Sequence, residues 1–510
     1  MEPERSFTVS FTSDIHGYFS NLDYSTGKEH ASGLCNCAGL FARGENTLII
    51  DGGDTIQGSP FTYYYQKSGP HRTYLPSQVM NAAGYHFITL GNHDFNYGVP
   101  LIETYLKQLN AVCLCANVAG IRGVEKTAVI TLENGLRVGL TGVTSHYVNM
   151  WEPPEHLKGI TVSDAFTAAS EALEELRTRQ IDVAICIYHG GFERDLVSGC
   201  LLSDTDENQG WRICKELGFD ILLTGHQHGI IDGTWLSDTF TCQCPDKASG
   251  FMKMDIAISR MENTNTINAH CNFVPAGKER WEPIWTILAE EEKRAAYWLD
   301  EPVGYLNMPL LSEDHIEMAV HGSLLANFFN QVQLDSTGAE ISLTCLGNTV
   351  KGLPRAVSIR DIVSSYVFPN TLKVLEVDRR ILQAALERCA EYFSLDANGD
   401  CCVSESFLVP VEQHYNFDFF SGIEAVIDLS LPIGNRVVSI RYQGEELPEE
   451  KKLKLCMNNY RATGAGGYPF YTACPIVSEI PKEVSELIMD YISSHRKIEV
   501  DCTKWLTVNY

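Results

Sequence analysis

Five short apolar runs in the first half of the chain each end in a polar cluster that holds Asp, His or Asn. The runs are SFTVSFTSDIHG, NTLIIDGGD, HFITLGNHDFNYG, DVAICIYHGG and DILLTGHQHG. Such runs of Val, Ile, Leu and Phe are typical of buried strands, and Gly-rich ends are typical of loops. Helical stretches lie between them, including VSDAFTAASEALEELRTRQ with Ser163 or Asp164 placed to cap it. The alternation predicts a layered α/β domain with its polar clusters at the carboxyl ends of the strands.

The composition changes near Trp281, where PIWTILAEEEKRAAYWLD predicts one charged, amphipathic helix. We therefore predict a first domain at 1–284, a linker helix at 285–305 and a second domain at 306–510. In the second domain, HGSLLANFFNQVQL, RRILQAALERCAEYF and PKEVSELIMDYISSHR indicate helices, and TLKVLEV, AVIDLSL and RVVSIRY indicate strands. The domain also contains the glycine-rich segment NNYRATGAGGYPFY.

Charge and cysteine content limit the partners and the compartment. The 510 residues include 39 basic and 65 acidic side chains, for a formal net charge of −26. Such a surface repels polyanions, so neither nucleic acid polymers nor anionic membranes are expected partners. The chain shows no signal-like start and no apolar run of about 18 residues, so we expect a cytoplasmic protein, or an exported one whose signal peptide is absent here. The 17 cysteines are interpreted as reduced core thiols, with zinc at the C-x-C pairs as the weaker alternative.

Together the polar clusters supply the ligand types of a binuclear metal centre. Divalent ions of intermediate hardness accept carboxylate oxygen, imidazole nitrogen and amide oxygen. Residues two apart in a strand point the same way, so Asp14 with His16, and His226 with His228, would each converge if strand geometry continues there. With only two anionic ligands, two ions would leave roughly two positive charges to attract phosphate. The candidate ligands are Asp14, His16, Asp54, Asn92, His189, His226 and His228.

The ordered series D-x-H, G-D, G-N-H-D, strand-end His and G-H-x-H resembles the calcineurin-like metallophosphoesterases. Over its full length the chain resembles the 5′-nucleotidase family and its bacterial 2′,3′-cyclic-nucleotide 2′-phosphodiesterase/3′-nucleotidase branch. In the second half the resemblance rests on FPNTLKVLEV, YNFDFFSGIEAVIDLSLPIGNRV and NNYRATGAGGYPFY. It implies a four-layer αββα metallophosphoesterase domain followed by an α+β C-terminal nucleotide-binding domain.

The same resemblance implies the metal assignment. Two divalent ions are expected, each Mn, Zn, Co or Fe. One ion would be held by Asp14, His16, Asp54 and His228. The other would be held by Asp54, Asn92, His189 and His226, so that Asp54 bridges the two.

His93 is the predicted catalytic residue that binds no metal. It adjoins Asn92, so it should face the phosphate, where a protonated imidazole stabilises charge on the transferring group or its leaving oxygen. The nucleophile would be a water activated by the two metals. Many relatives carry an Asp three residues after this His to orient it. Here that residue is Asn96, which accepts a hydrogen bond but has no charge, and Asp94 is a further candidate for the role.

Substrate recognition is expected in the second domain, where family members stack the base between two aromatic rings. Tyr460 matches one ring, and Tyr415 or Phe417 is the candidate for the other, since a ring pair binds any base by its face. Typical 5′-nucleotidases have an Arg-containing loop where this chain has LTCLGNTVKG, and Arg461 is the candidate to compensate. Gly464 either lets the backbone approach a ligand or forms a turn.

The sequence predicts a metal-dependent hydrolase of 2′,3′-cyclic and 3′-nucleotides. The missing Arg and the YNFD segment favour this branch. A 5′-nucleotidase or UDP-sugar hydrolase is the alternative with the same chemistry. A non-catalytic nucleotide-binding protein is the alternative of a different class. Small-molecule nucleotides or nucleosides are the predicted partners, while base preference and oligomeric state are left open.

Overall fold

The computed structural model describes residues 4–24, 27–69, 73–202, 205–261, 264–368, 370–409, 411–480 and 482–510. The chain divides into two compact units, Met1–Ala296 and Tyr297–Tyr510. A helix covers Glu282–Leu299, so the division falls inside it. The predicted limits of the two domains and the linker stay a prediction. Among the described residues, no helix is both long and apolar enough to cross a bilayer.

The first unit is built on two mixed sheets that enclose one apolar core. In spatial order, the described strands of the larger sheet are Thr264–Pro275, Gly250–Met261, Arg5–Thr12, Thr47–Asp51, Phe87–Ile88, Val112–Leu114 and Val124–Glu125. Those of the second sheet are Ile231–Leu236, Thr239–Gln243, Ile221–Thr224, Val183–His189, Arg137–Thr144 and Thr127–Thr131. Short pairs join Val118–Ala119 to Thr161–Val162 and Leu22–Asp23 to Lys28–Glu29.

Parallel pairing brings the polar strand ends together. Arg5–Thr12 pairs in parallel with Thr47–Asp51, which pairs in parallel with Phe87–Ile88. In the second sheet, Val183–His189 runs parallel to Ile221–Thr224. The carboxyl ends of parallel strands lie at one edge of a sheet, so the polar clusters that follow these strands are neighbours. All five apolar runs form strands, as predicted.

The core of this unit lies between the two sheets. Val9 and Phe11 of the larger sheet and Ile185 and Ile187 of the second are fully buried in one cluster. Burying one such side chain contributes about 1.5–3 kcal/mol. Central strands covered on both faces need apolar residues on both, which explains why their sequences are continuous apolar runs.

Helices form the outer layers of the first unit. Helix Ala165–Arg177 covers the second sheet, where Leu173 packs in one cluster with Tyr188. Asp164, one of the two predicted caps, accepts the backbone N–H of Thr167. The other described α-helices of the unit are Leu34–Cys37, Pro60–Lys67, Leu75–Ala83, Val99–Gln108, Val148–Trp151 and Gly210–Glu216. Short 3₁₀ turns cover Ala38–Leu40 and His93–Phe95.

The second unit has an α+β architecture. Its larger sheet, in spatial order, contains the described strands Asp418–Ser421, Ile341–Cys345, Leu453–Asn458, Leu372–Val377 and Ile476–Ile480. A second sheet contains Glu445–Glu446, Val437–Tyr442, Glu424–Asp428 and Leu506–Asn509. Short pairs are Pro302–Tyr305 with Ala356–Ser358, Leu310–Leu311 with Gly352–Leu353, and Phe393–Leu395 with Cys401–Val403.

The predicted helices of the second unit are present. The described α-helices are His315–His321, Leu324–Thr337, Ile359–Ser365, Arg379–Ala390, Asn459–Ala462 and Val484–Ser494. Short 3₁₀ turns are Glu405–Phe407, His414–Asn416 and Pro469–Ala473. Leu343 and Leu386 lie in one buried cluster, while Phe329 and Ile488 lie in another.

Most of the cysteines are buried free thiols, and no disulfide joins any cysteine of the described residues. Burial raises the pKa of Cys35 to about 11 and that of Cys37 to about 12. These thiols therefore stay protonated near neutral pH, whereas a metal ligand must be a thiolate. Among the described residues, the groups with metal-ligand spacing contain Asp and His but no Cys.

Candidate functional site

The polar ends of five strands meet in the first unit and bring together all seven predicted metal ligands. Each of these residues ends a strand or follows one within a few positions. Along the chain they are Asp14, His16, Asp54, Asn92, His189, His226 and His228.

The backbone at these ligands departs from the strand geometry that the sequence analysis assumed. Asp14, His16, Asp54, His226 and His228 all have φ between 50° and 68°, in the left-handed region. The strand alternation expected to pair Asp14 with His16, and His226 with His228, therefore stops before these residues. A left-handed residue other than glycine costs about 1–2 kcal/mol, so five in one site mark a strained, functional set of loops.

Hydrogen bonds hold these loops in place. The N–H of Asp14 donates to the carbonyl of Gly53 over 2.9 Å, and that of His16 donates to the carbonyl of Asp54 over 2.7 Å. The buried carboxylate of Asp94 accepts four backbone N–H groups over 2.9–3.0 Å. Its donors are Asp54, Thr55, Ile56 and Gly91.

One ligand group consists of Asp14, His16 and His228, whose ligand atoms lie within 4.8 Å of one another. The Nε2 atoms of His16 and His228 are 3.2 Å apart. Nε2 of His228 lies 3.4 Å from Oδ1 of Asp14. These three residues match three of the four ligands assigned by resemblance to the first ion.

A second group consists of Asp14, Asp54 and His189. Nε2 of His189 lies 3.2 Å from Oδ2 of Asp54 and 3.1 Å from Oδ1 of Asn92. The same Asn92 oxygen is 2.9 Å from Nδ1 of His226. Oδ2 of Asp54 is also 3.8 Å from Nε2 of His16, so this carboxylate faces both groups.

Hydrogen bonds at the outer side of three histidine rings show that the site suits a cation. His16 donates from Nδ1 to the carbonyl of Gln57 over 3.0 Å, and His189 donates from Nδ1 to the carbonyl of Gly52 over 2.7 Å. His226 uses Nε2 towards the Glu207 carboxylate, at 2.9 Å. In a neutral imidazole the opposite nitrogen then carries a lone pair.

In that neutral form, the inward nitrogens point at other acceptors. Nε2 of His189 faces a carboxylate oxygen of Asp54, and Nδ1 of His226 faces the amide oxygen of Asn92. Contacts between two acceptors repel unless a proton or a metal ion lies between them. A ring that donates outward to a carbonyl or carboxylate and offers its other nitrogen inward is the usual geometry of a metal-binding histidine.

The electrostatics of the cluster follow from burial and opposite charges. Burial alone would lower the pKa of His189, but the carboxylates of Asp54 and Asp14 outweigh it and hold that pKa at about 10. Burial would raise the pKa of Asp14, but the hydrogen bond with His228 and the charge of His189 hold it well below its usual range. Burial lowers the pKa of His16 to about 4 even with Asp54 beside it. The carboxylates thus attract positive charge into the cluster.

His93 lies beside the ligand cluster on the 3₁₀ turn His93–Phe95. Its backbone N–H donates to Oδ1 of Asp54 over 2.7 Å, and its ring centre lies 5.3 Å from that of His16. Nδ1 of His93 is 2.9 Å from Oδ1 of Asn96. Asn96 therefore occupies the orienting position suggested by the sequence.

Asp94 does not take that role, which corrects the sequence interpretation. Its carboxylate oxygens are occupied by the four backbone N–H groups described above. Burial, reinforced by the charge of Asp54, raises the pKa of Asp94 to about 6. Its carboxylate joins the loop that contains Asp54 to its own loop.

Three residues that contact the site were not predicted from the sequence. Glu207 holds His226, and Trp151 stacks on the same ring with 5.6 Å between ring centres and 22° between planes. Glu152 accepts a hydrogen bond from Asn96. Trp151 and Glu152 belong to HYVNMWEPPEH, a mixed polar and apolar segment after strand Arg137–Thr144. For these two residues, the available signal was their place after an apolar strand, as for the ligands.

Two of the predicted substrate residues of the second unit are accessible, and two are not. Tyr415 and Tyr460 are half-buried, whereas Phe417 is 2% exposed in the core of the unit and Arg461 is 0% exposed. Direct contact of Phe417 or Arg461 with a substrate is therefore contradicted by their burial. Tyr415 becomes the candidate for the second ring.

Hydrogen bonds within the second unit explain why Arg461 is buried. Its Nε donates to Asp418 over 3.1 Å, and its terminal nitrogens donate to the carbonyls of Ala465 and Tyr415 over 2.6 and 2.8 Å. Gly464 has φ 86°, and a Cβ there would lie 3.0 Å from the Cα of Pro469. The turn itself thus requires glycine at 464, in line with the second of the two interpretations given above.

Comparison with known proteins agrees with this architecture. Residues 7–229 match the calcineurin-like phosphoesterase family and residues 306–473 match the 5′-nucleotidase C-terminal domain. A Staphylococcus aureus structure assigned as a 5′-nucleotidase, in complex with α-ketoglutarate, is 30% identical with a TM-score of 0.89, over 99% of this chain and 100% of that one. The chain is therefore a metallophosphoesterase hydrolase.

Two curated relatives cover nearly the whole chain. The trifunctional nucleotide phosphoesterase YfkN of Bacillus subtilis is 25% identical over 97% of this chain, which spans 38% of the length of YfkN. The 2′,3′-cyclic-nucleotide 2′-phosphodiesterase/3′-nucleotidase of Haemophilus influenzae is 22% identical over 95% of this chain and 84% of that protein. The chain belongs to the 5′-nucleotidase family, with a calcineurin-like phosphoesterase domain followed by a 5′-nucleotidase C-terminal domain. The predicted family and fold class are confirmed.

Proposed function

We propose that this nucleotide phosphoesterase hydrolyses 2′,3′-cyclic nucleotides and 3′-nucleotides with two divalent metal ions. The observation that carries the proposal is the cluster of inward-facing ligand atoms from the seven metal-ligand candidates, with His93 beside it. The metal would be Mn, Zn, Co or Fe, all of which accept mixed imidazole, carboxylate and amide ligands. The cyclic and 3′ preference is supported by the Haemophilus relative and by the missing Arg in LTCLGNTVKG.

Asp14, His16, Asp54 and His228 would hold one ion, and Asp54, Asn92, His189 and His226 the other. When bound, two such ions bring a phosphate and a water together, polarise the phosphate and lower the pKa of the water. The chain contributes fixed orientation: the carbonyls of Gly52 and Gln57 hold two imidazole rings in one tautomer.

His93 would supply the proton for the leaving oxygen. Its backbone N–H is fixed by Asp54 and its Nδ1 by Asn96, which leaves Nε2 as the ring atom available to the ester. A nucleoside alkoxide is a poor leaving group, so a proton donor at this point contributes about 10²–10⁴-fold.

Tyr460 and Tyr415 would bind the base by stacking. Both are half-buried tyrosines of the second unit, and Tyr415 also contacts the ring of Phe368 with 6.4 Å between centres. Stacking tolerates any base because every base has a π-face, so broad base acceptance is expected.

A 5′-nucleotidase or UDP-sugar hydrolase is the second candidate. The Staphylococcus structure, assigned as a 5′-nucleotidase, supports it with 30% identity over 99% of this chain.

Phosphate release from a panel of substrates distinguishes these functions. The panel contains 2′,3′-cyclic AMP with added excess phosphatase, 3′-AMP, 5′-AMP and UDP-glucose, each with Mn²⁺, Zn²⁺ or Co²⁺. We expect the highest kcat/KM with the cyclic and 3′ substrates, and no turnover in a His189→Ala control. Preference for 5′-AMP or UDP-glucose would select the second candidate. Binding of nucleotides without turnover under every metal would contradict both.

A further inference from the structure

Four side chains beside the metal-ligand cluster form one continuous row of hydrogen bonds. Nδ1 of His93 is 2.9 Å from Oδ1 of Asn96, and Nδ2 of Asn96 donates to Oε1 of Glu152 over 2.5 Å. Nδ1 of His156 is 2.9 Å from Oε2 of Glu152. The Glu152 side chain is 6% exposed, so water competes little for these contacts.

The segment that carries Glu152 is anchored at the candidate site. Helix Val148–Trp151 ends at Glu152, whose N–H donates to the carbonyl of Val148 over 3.0 Å. The preceding residue, Trp151, stacks on His226. The carboxylate is therefore fixed by the backbone, by the stacked neighbour and by His156.

A carboxylate beside Asn96 decides which way the amide points. An ionised carboxylate only accepts hydrogen bonds, so the NH₂ group of Asn96 must face Glu152 and its oxygen must face His93. The amide oxygen also only accepts, so Nδ1 of His93 must carry hydrogen. Without Glu152, the amide can rotate by half a turn and present its NH₂ group to His93, which favours the opposite tautomer.

We infer that Glu152 is a positioning residue for His93. By fixing the Asn96 amide, it keeps the hydrogen of His93 on Nδ1 and leaves Nε2 as the atom that exchanges a proton with the ester oxygen. This inference rests on the proposed function for its catalytic consequence, but the tautomer of His93 is measurable without any substrate.

The decisive experiment compares Glu152→Gln, Asn96→Asp and the double variant Asn96→Asp/Glu152→Gln in the full chain. The amide introduced by Glu152→Gln can donate or accept, so Asn96 loses its fixed orientation, and kcat should fall by about 10–100-fold with KM unchanged. In the double variant, the carboxylate introduced by Asn96→Asp accepts from both His93 and the new amide, which restores the pattern of donors and acceptors. The double variant should therefore recover most of the lost kcat.

Asn96→Asp alone serves as the reference of the cycle. In the wild-type background, Asn96→Asp places a second carboxylate against Glu152. This substitution should therefore raise kcat less in the wild-type background than in the Glu152→Gln background. Equal effects in both backgrounds, or a double variant as impaired as Glu152→Gln, would overturn the inference. Glu155→Gln, an exposed glutamate of the same segment, is the matched control and should leave kcat unchanged.

Nitrogen-15 NMR of labelled histidines in the Zn²⁺-loaded protein reads the tautomer directly. The His93 signals are assigned by their loss in His93→Gln. In the neutral form of the ring, we expect the hydrogen on Nδ1 in the wild-type protein and in the double variant, and a shift towards Nε2–H in Glu152→Gln. An unchanged tautomer in Glu152→Gln would overturn the inference even if the enzyme is active. The expected tautomers in a protein without nucleotide turnover would instead reject the proposed function.

Discussion

At the scale of single residues, His93 is proposed to donate a proton, whereas its neighbours are proposed to bind metal. It lies next to Asn92 but holds hydrogen bonds to Asp54 and Asn96 instead of offering a lone pair to the ligand cluster. His93→Ala should lower kcat by about 10²–10⁴-fold, the usual contribution of a general acid. Metal content, measured by mass spectrometry, should stay unchanged. Loss of a metal ion from this variant would identify His93 as a ligand and reject the role proposed here.

The sequence predicted the ligands better than it predicted their surroundings. The ligand types are recognisable because they end apolar runs or follow them within a few positions. The left-handed backbone at Asp14 was not predictable, because strand alternation already gave a plausible route to convergence. The burial of Arg461 depends on Asp418, 43 residues earlier, and the role of Glu152 depends on Asn96, 56 residues earlier. Pairings that distant leave no local pattern.

At the scale of elements, the loop after strand Phe87–Ile88 has no space for a side chain at Gly91. A Cβ there would lie 2.1 Å from Oδ1 of Asp54 and 2.4 Å from its backbone nitrogen. Gly91→Ala should therefore displace Asp54, cost about 1–3 kcal/mol of stability as overpacking does, and lower metal affinity. Isothermal titration with Mn²⁺ measures that affinity.

Gly39→Ala is the matched control for this prediction. A Cβ at Gly39 makes only ordinary contact, 3.5 Å from the ring of Trp281. This variant should bind Mn²⁺ like the wild-type protein. If Gly91→Ala also bound Mn²⁺ with wild-type affinity, the position of Asp54 would not depend on this loop.

The strands and most helices were predictable because apolar periodicity is a local signal. Their lengths were less so: the run HFITLG forms a strand only over Phe87–Ile88. Asp94, one of the polar residues that follow, accepts N–H groups from the neighbouring loop at Asp54 and Thr55. This is a tertiary contact. The sequence shows that a loop follows each strand but not which loop residue fixes it.

At the scale of the whole molecule, metal binding and base recognition are assigned to different units. Tyr460→Ala should raise KM for nucleotides by the free energy of stacking one base, roughly 1–3 kcal/mol, or about 5- to 150-fold. Hydrolysis of p-nitrophenyl phosphate, which has no base, should change little. Tyr442→Ala, another half-buried tyrosine of the second unit, is the control and should alter neither substrate. Equal damage to both substrates in Tyr460→Ala would remove the second unit from base recognition.

The central claim is that the clustered Asp, His and Asn side chains hold the ions on which hydrolysis depends. The most direct test adds Mn²⁺ in known equivalents to metal-free protein and follows both bound metal and the rate of 3′-AMP hydrolysis. We expect no turnover without metal and a rate that rises to a plateau at two equivalents per chain. Undiminished turnover by protein in which mass spectrometry finds no bound metal would contradict the account.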